Sequence, residues 1–202
     1  MELSSLDSIA VLMFPPSAGY PRLTLSILNE IAEFLEEVRG EGVFSGLVIA
    51  ANSKSFASGA DIEEVSAVEG VRARKFAERG QTLCRLIETF PLPVVAAIRG
   101  YCLGGALDMA LACHGRVASF DSSFGHPGAA LGLVTGWGGT QRLARLLGKA
   151  GALQVFLTAD RIPATQALSM GLVDELTASR DLLSAAARRA RTLRRIPMAR
   201  NV

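Results

Sequence analysis

The chain has 202 residues, half of them apolar and a fifth charged, with a mean hydropathy of +0.32, a balance that excludes a disordered segment and fits one globular domain over residues 1–202. Apolar runs such as Gly46 to Ala51 and Val94 to Ile98 fall far short of the ~20 residues a membrane span needs, so the hydropathy reads as buried core and no membrane is expected as a partner. A net charge of +2 is too weak a field to select nucleic acid. Cys84, Cys102 and Cys113 are odd in number, lack C-x-x-C spacing and sit in apolar segments, so they are expected to be reduced core residues. The opening MELSSLDSIAVLMF has neither a basic n-region nor a small-residue cleavage site, which makes a cytoplasmic location the expectation.

Ile9 to Phe14 is an apolar run broken by Pro15 and Pro16, too short for a helix and suited to a strand. From Leu23 to Val38 the period changes. Ile27, Leu28, Ile31, Leu35 and Val38 recur at three and four residue intervals between glutamates, predicting a helix over a core that ends at Gly40 and Gly42. Leu47 to Ala51 predicts a second buried strand, followed by a loop of small residues. Asp61 and Glu64 fit a capping box, with Asp61 as the N-cap of a short helix. Val71 to Phe90 predicts a long polar helix stopped by Pro91 and Pro93, then a strand from Val94 to Arg99.

Gly100 opens a sharp turn, and Gly104 and Gly105 lead into an apolar helix carrying Leu107, Ala110 and Leu111. Short strands are expected at Arg116 to Ser119 and Ser122 to Gly125, and two helices at Gly138 to Leu147 and Gly151 to Leu157, separated near Gly148. Leu172 to Leu176 predicts a last strand and Asp181 to Arg195 a basic helix. The repeated strand-to-helix order points to an α/β layered fold, and no repeat or linker divides it.

A glycine turn entering a helix presents unpaired N–H groups and partial positive charge, a natural place for a carbonyl oxygen that becomes negative. Gly105 is the candidate donor, and the loop at Ala57 to Ala60 could present a second N–H to complete an oxyanion hole. Spacing alone leaves a tight packing corner as the plainer alternative. No phosphate-loop pattern and no metal-ligand spacing is present, so no metal is expected.

The segments SFASGADIEEV, PVVAAIRGYCLGGALDMALACHGRVAS, SSFGHPGAALGLVTGWGGTQRLARLLG and ALQVFLTADRIPATQALSMGLVDEL resemble, in order and spacing, the enoyl-CoA hydratase/isomerase (crotonase) family over roughly residues 9 to 195. The resemblance implies a crotonase-like spiral of ββα repeats with its core at about residues 9–176. It also implies an acyl-CoA thioester substrate, an enolate intermediate and no permanently bound cofactor. Carried across, the oxyanion donors fall on the backbone N–H of Ser58 and Gly105. The stretch Ser58, Gly59, Ala60, Asp61 and Ile62, together with Gly105, falls on the coenzyme A contacts, with Asp61 expected to be structural. The family's first catalytic glutamate corresponds to Asp108, a carboxylate shorter by one carbon–carbon bond, about 1.5 Å. Its other reading is a first-turn carboxylate favoured by the helix dipole.

The second glutamate corresponds to Gly128, which cannot transfer a proton, a loss worth about 10²- to 10⁴-fold in rate if nothing replaces it. In dihydroxynaphthoyl-CoA synthases, relatives with glycine here, bicarbonate supplies the missing base, which makes bicarbonate or another anion near Gly128 an expectation. Their other acidic residue corresponds to Thr135, so that match is incomplete. His126 could lend an imidazole beside the gap, and Trp137 could narrow the acyl pocket. Each has a purely structural alternative.

Members of the family continue through further C-terminal helices and assemble as trimers or pairs of trimers. A shortened C-terminal helical region and a homo-oligomer are therefore expected, with the helix Asp181 to Arg195 close to the end. Three functional readings follow. The first is an enoyl-CoA hydratase or isomerase with Asp108 as acid or base. The second is an acyl-CoA-binding relative that has lost turnover with the glutamate now replaced by Gly128. The last is a nucleophilic hydrolase, disfavoured because Gly105 and Ala106 stand where a nucleophile would be needed.

Overall fold

Strands β2 (Ile9–Phe14), β3 (Gly46–Ala51) and β4 (Val94–Ile98) are buried along nearly their whole length, as parallel strands covered on both faces require. The computed structural model describes residues 2–14, 20–51, 54–67 and 69–193. It joins these strands with β1 (Glu2–Leu6), β6 (Gly115–Ser119) and β9 (Glu175–Thr177) in a six-stranded sheet of order β1-β2-β3-β4-β6-β9. The β1–β2 pair is antiparallel and the other pairs are parallel.

Successive residues of these strands go to opposite layers. Ala10, Leu12, Leu47, Ile49, Val94, Ala96 and Ile98 pack with residues of α1 (Leu25–Glu41), α3 (Val71–Glu88) and α4 (Gly105–Ala112). Ile9, Val11, Val48, Val95, Ala97 and Val117 instead meet α7 (Leu182–Thr192), which buries Leu182, Ala185, Ala186, Ala187 and Ala190 on them. The alanines let the α7 backbone approach the sheet. A smaller sheet of order β5-β7-β8, from Tyr101–Leu103, Ser123–Gly125 and Ile162–Pro163, lies beyond the Gly100 turn.

The remaining helices are α2 (Ile62–Ser66), α5 (Gly139–Thr158) and α6 (Ala164–Ser169). Gly148 has φ 74° and ψ 166°, which breaks α5 at the expected separation of two helices. Thr24 caps α1, its Oγ1 accepting from Ile27 N–H, and Gly42 ends that helix in the left-handed region, leaving Gly40 inside it. The capping box is half formed. Asp61 Oδ1 accepts from the N–H groups of Glu63 and Glu64, whereas the Glu64 carboxylate turns away to accept from Leu25 N–H at 3.0 Å. It ties the start of α1 to the start of α2.

Other expectations need correction. Leu172 and Val173 are buried, but both N–H groups donate to Ala167 O in the turn that closes α6, so the last strand begins only at Glu175. Tyr101–Leu103 is a strand rather than part of a glycine turn. The C-terminal helix spans Leu182–Thr192, and the predicted residues Arg194 and Arg195 lie outside the described residues. The three cysteines are buried free thiols, and burial pushes the Cys113 thiol up to about 12.

Because Ala186 is fully buried between α7 and the sheet, Ala186→Phe is expected to destabilise the fold by about 1–3 kcal/mol through overpacking. Leu183→Phe, on the partly exposed side of the same helix, should change stability by less than about 0.5 kcal/mol. Urea unfolding midpoints of the two variants check the pair.

Candidate active site

A cavity of about 500 Å³ opens between the loop Ser58–Ala60, the start of α4, the segment His126–Trp137, and Phe76 and Phe156. Its walls are mostly apolar, with few polar groups, the composition expected of a pocket for a small organic ligand. The backbone around it is closely fitted. Gly59 has φ 103°, and a Cβ there would fall 2.8 Å from Leu103 O, so only glycine brings this loop against the turn before α4. A Cβ on Gly105 would fall 2.5 Å from the ring of Trp137, which covers the helix start.

Hydrogen bonding decides which N–H groups are free to meet a ligand. Ser58 N–H donates to Pro21 O at 2.8 Å, and the carbonyl of the same peptide unit, Ala57 O, accepts from Leu103 N–H at 3.1 Å. That peptide is used on both sides, so the expectation of Ser58 as an oxyanion donor is corrected. Gly59 O accepts from Leu23 N–H at 2.8 Å. In a trans peptide the C=O and N–H point in opposite directions, and there is no cis bond among the described residues. Ala60 N–H therefore points away from Leu23, on the side where Ala60 lines the cavity, and no described residue accepts from it. Gly105 N–H is the first of α4 and likewise has no acceptor among the described residues.

The other predicted residues divide between the wall and its support. Gly59, Ile62, Gly128, His126 and Trp137 line the cavity. Asp61 does not. It caps α2 and pairs with Arg22 at 3.2 Å, and the bonds from the Glu64 N–H, Arg22 and the Glu63 N–H hold its carboxyl below the usual range against the opposing effect of burial. Asp108 has no exposed surface and is absent from the cavity wall. One carboxylate oxygen, Oδ2, accepts from Thr135 Oγ1 and from Trp137 N–H at 3.3 Å. The other, Oδ1, has no hydrogen-bond partner among the described residues and lies 3.5 Å from His126 Nε2, which also has none.

Burial pushes Asp108 up to about 6, against the lowering effect of the Thr135 hydroxyl, the nearby Trp137 and Gly139 backbone N–H groups and the charge of Arg142. Burial also pushes His126 down to about 4. Sequence reasoning missed the Thr135 bond to Asp108 and the packing of Phe156 on the His126 ring at 4.9 Å. Neither has a spacing signature, since each joins segments about 30 residues apart.

A family model for enoyl-CoA hydratase/isomerase matches residues 8–201. The chain belongs to the enoyl-CoA hydratase/isomerase family. It is 42% identical over 185 residues to a fatty acid oxidation complex subunit alpha of Shewanella halifaxensis, covering 89% of this chain and 26% of that protein. To the subunit of the same name from Shewanella baltica it is 41% identical, covering 95% of this chain and 28% of the other. The chain thus spans about a quarter of the length of these curated relatives. Among solved structures, an enoyl-CoA hydratase from Bacillus anthracis superposes with a TM-score of 0.88 at 28% identity, over 94% of this chain and 74% of that one. One from Thermoplasma volcanium reaches 0.89 at 23% identity, over 95% and 77%, a likeness of fold. The α/β architecture is the crotonase fold.

The Asp108 carboxyl titrates higher in the folded chain than its ordinary 3.8, so the folded form holds this proton more tightly than the unfolded one. Stability from this group is complete below about pH 3.8 and is lost as pH rises through about 6. Asp108→Asn keeps an acceptor for Thr135 and Trp137 and removes the buried charge. It is expected to stabilise the protein at pH 8 by up to about 3 kcal/mol, with the gain fading towards pH 4, as read by denaturant unfolding across that range.

Proposed function

We propose that the cavity binds an acyl-CoA thioester and stabilises its enolate, in the hydration, dehydration or double-bond isomerisation of an enoyl-CoA. The observation that carries this reading is the pair of acceptor-free N–H groups, Ala60 and Gly105, at the wall of a largely apolar cavity. As the thioester oxygen gains negative charge, two fixed donors stabilise it without having to reorganise, and each such donor is typically worth about 10²- to 10³-fold in rate. Gly105 adds the partial positive charge of the α4 N-terminus. The names of the Shewanella relatives support a fatty acyl thioester as the substrate class.

A second reading, acyl-CoA binding without efficient turnover, is favoured by one observation. Gly128 lines the cavity where the resemblance places a glutamate, and Asp108 has no surface on that cavity. Crotonyl-CoA and a 3-enoyl-CoA, followed by the absorbance of the conjugated thioester, separate the two. Turnover of either supports the enzyme, while tight binding with no turnover of both supports the binding protein.

Replacing the amide at Ala60 by an ester removes its N–H and leaves the side chain in place. It is expected to lower turnover by about 10²- to 10³-fold with little change in stability. The same replacement at Ser58 breaks the bond to Pro21 and should instead cost stability. Gly128→Glu places its Cβ at 3.4 Å from Leu133, an ordinary contact, and is expected to raise hydration of crotonyl-CoA by about 10-fold or more.

A further inference from the structure

The cavity wall holds one ionisable ring, and directly behind it lies a carboxylate that cannot reach the cavity. His126 is 4% exposed and lines the cavity, whereas Asp108 is fully buried. His126 Nε2 and Asp108 Oδ1 are 3.5 Å apart, and among the described residues neither atom has a hydrogen-bond partner. Buried polar atoms without partners are rare because each costs on the order of 1–3 kcal/mol. Two of them facing each other resolve the problem jointly when a proton sits between them. His126 Nδ1 hydrogen-bonds no described residue. It is the ring atom left to meet a ligand, and the Phe156 ring fixes the plane of the imidazole.

We propose that His126 is the proton-transfer group of this site and that Asp108, one layer deeper, is its positioning residue, the pair standing in for the carboxylate absent at Gly128. This rests on the enolate reading above. With Nε2–H directed at the Asp108 carboxylate, the neutral ring is held in the tautomer that offers the Nδ1 lone pair to the cavity, and the carboxylate stabilises the imidazolium once formed. In the step itself the C2–H bond of the thioester breaks and its proton goes to Nδ1. The electron pair enters the C1–C2 bond, and the C1=O pair moves to the oxygen facing Ala60 and Gly105. Collapse of the enolate returns the proton to C2 or, with a 3,4 double bond present, to C4. No further reagent is consumed.

Burial holds His126 neutral above about 4, and Asp108 is a carboxylate above about 6. The other ionisable groups around the pair are Cys84 on α3 and Cys102 on β5, kept protonated by burial, and Arg142 on α5, which is 2.7 Å from Glu88. None of them lines the cavity.

The test is exchange of the C2 hydrogens of butyryl-CoA into D2O, read by mass spectrometry, beside calorimetric binding of the same thioester. Wild-type protein is expected to bind and exchange, with an acid limb near pH 6. His126→Gln should lose at least about 100-fold in exchange rate with binding kept within about 3-fold. Asp108→Asn turns an amide N–H towards Nε2, enforces the wrong tautomer, and should lose a comparable factor while its residual rate no longer shows the limb. Exchange that survives in His126→Gln, or wild-type binding without exchange, overturns the pair and leaves the acyl-CoA reading standing. Failure of wild-type protein to bind butyryl-CoA removes both. Independently of variant folding, 15N NMR of the histidine rings, with His114→Gln to assign the signals, should find His126 protonated on Nε2, and a proton on Nδ1 overturns the proposal.

Discussion

One carboxylate without solvent, Asp108, governs how the walls of this site are held. An ionised group in an apolar interior persists only where hydrogen bonds replace the lost water. Here Thr135 Oγ1 and the N–H of Trp137 supply them, both from the loop that precedes α5. The loop is thereby tied to the fourth residue of α4 by hydrogen bonds rather than by apolar contact alone. The consequence reaches the cavity, because the same loop carries Trp137, whose ring lies over Gly105 and Gly80 and 5.8 Å from Phe76. Removing the charge is expected to leave the fold more stable, and it alters the group 3.5 Å from the His126 ring.

The sheet positions that group. Parallel strands β2, β3 and β4 are covered on both faces, and the chain leaves β4 through Gly100 into β5 and then through Gly104 into α4. Helix α4 is buried from Ala106 to Ala112, so its only charged side chain has nowhere to go but inward. The loop Ser58–Ala60 is fixed from the other side by its pairing with the segment around Leu23 and by Leu103 N–H on Ala57 O. Two separate chain segments thus bring N–H groups to one cavity, and the rigidity of each comes from ordinary backbone bonding rather than from the cavity itself.

Much of this was legible in the sequence because it is written in local patterns. The apolar run at Ile9 to Phe14, the helical period of α1 and the break at Gly148 each depend on neighbours close in the chain. Strand β1 was not legible, since ELSSL at the sheet edge shows no alternation of buried and exposed residues, and Leu172–Val173 misled because an apolar pair in a tight turn looks like the start of a strand. At the site, the family resemblance pointed to Gly105, Asp108, His126 and Trp137. It could not say that Ser58 N–H was already committed to Pro21, a contact across 37 positions, nor that Thr135 would meet Asp108. Which donor is free is a property of the peptide plane, and no side-chain identity records it.

The environments of Asp108, Thr135 and His126 are coupled. A shorter side chain at position 108 stops at Thr135 and His126 instead of reaching the cavity, and threonine at 135 gives the withdrawn carboxylate a donor. A Cβ on Gly139 would fall 1.9 Å from Asp108 Oδ1, so the space behind the wall is already filled by the aspartate. A longer carboxylate there must push forward, towards the place where the His126 ring sits. Residues in direct contact do not contribute independently; Thr135 bonds to Asp108, and His126 Nε2 lies 3.5 Å from Asp108 Oδ1. Asp108, Thr135 and His126 are therefore best understood as one arrangement, in which a buried carboxylate lies behind the ring that lines the cavity.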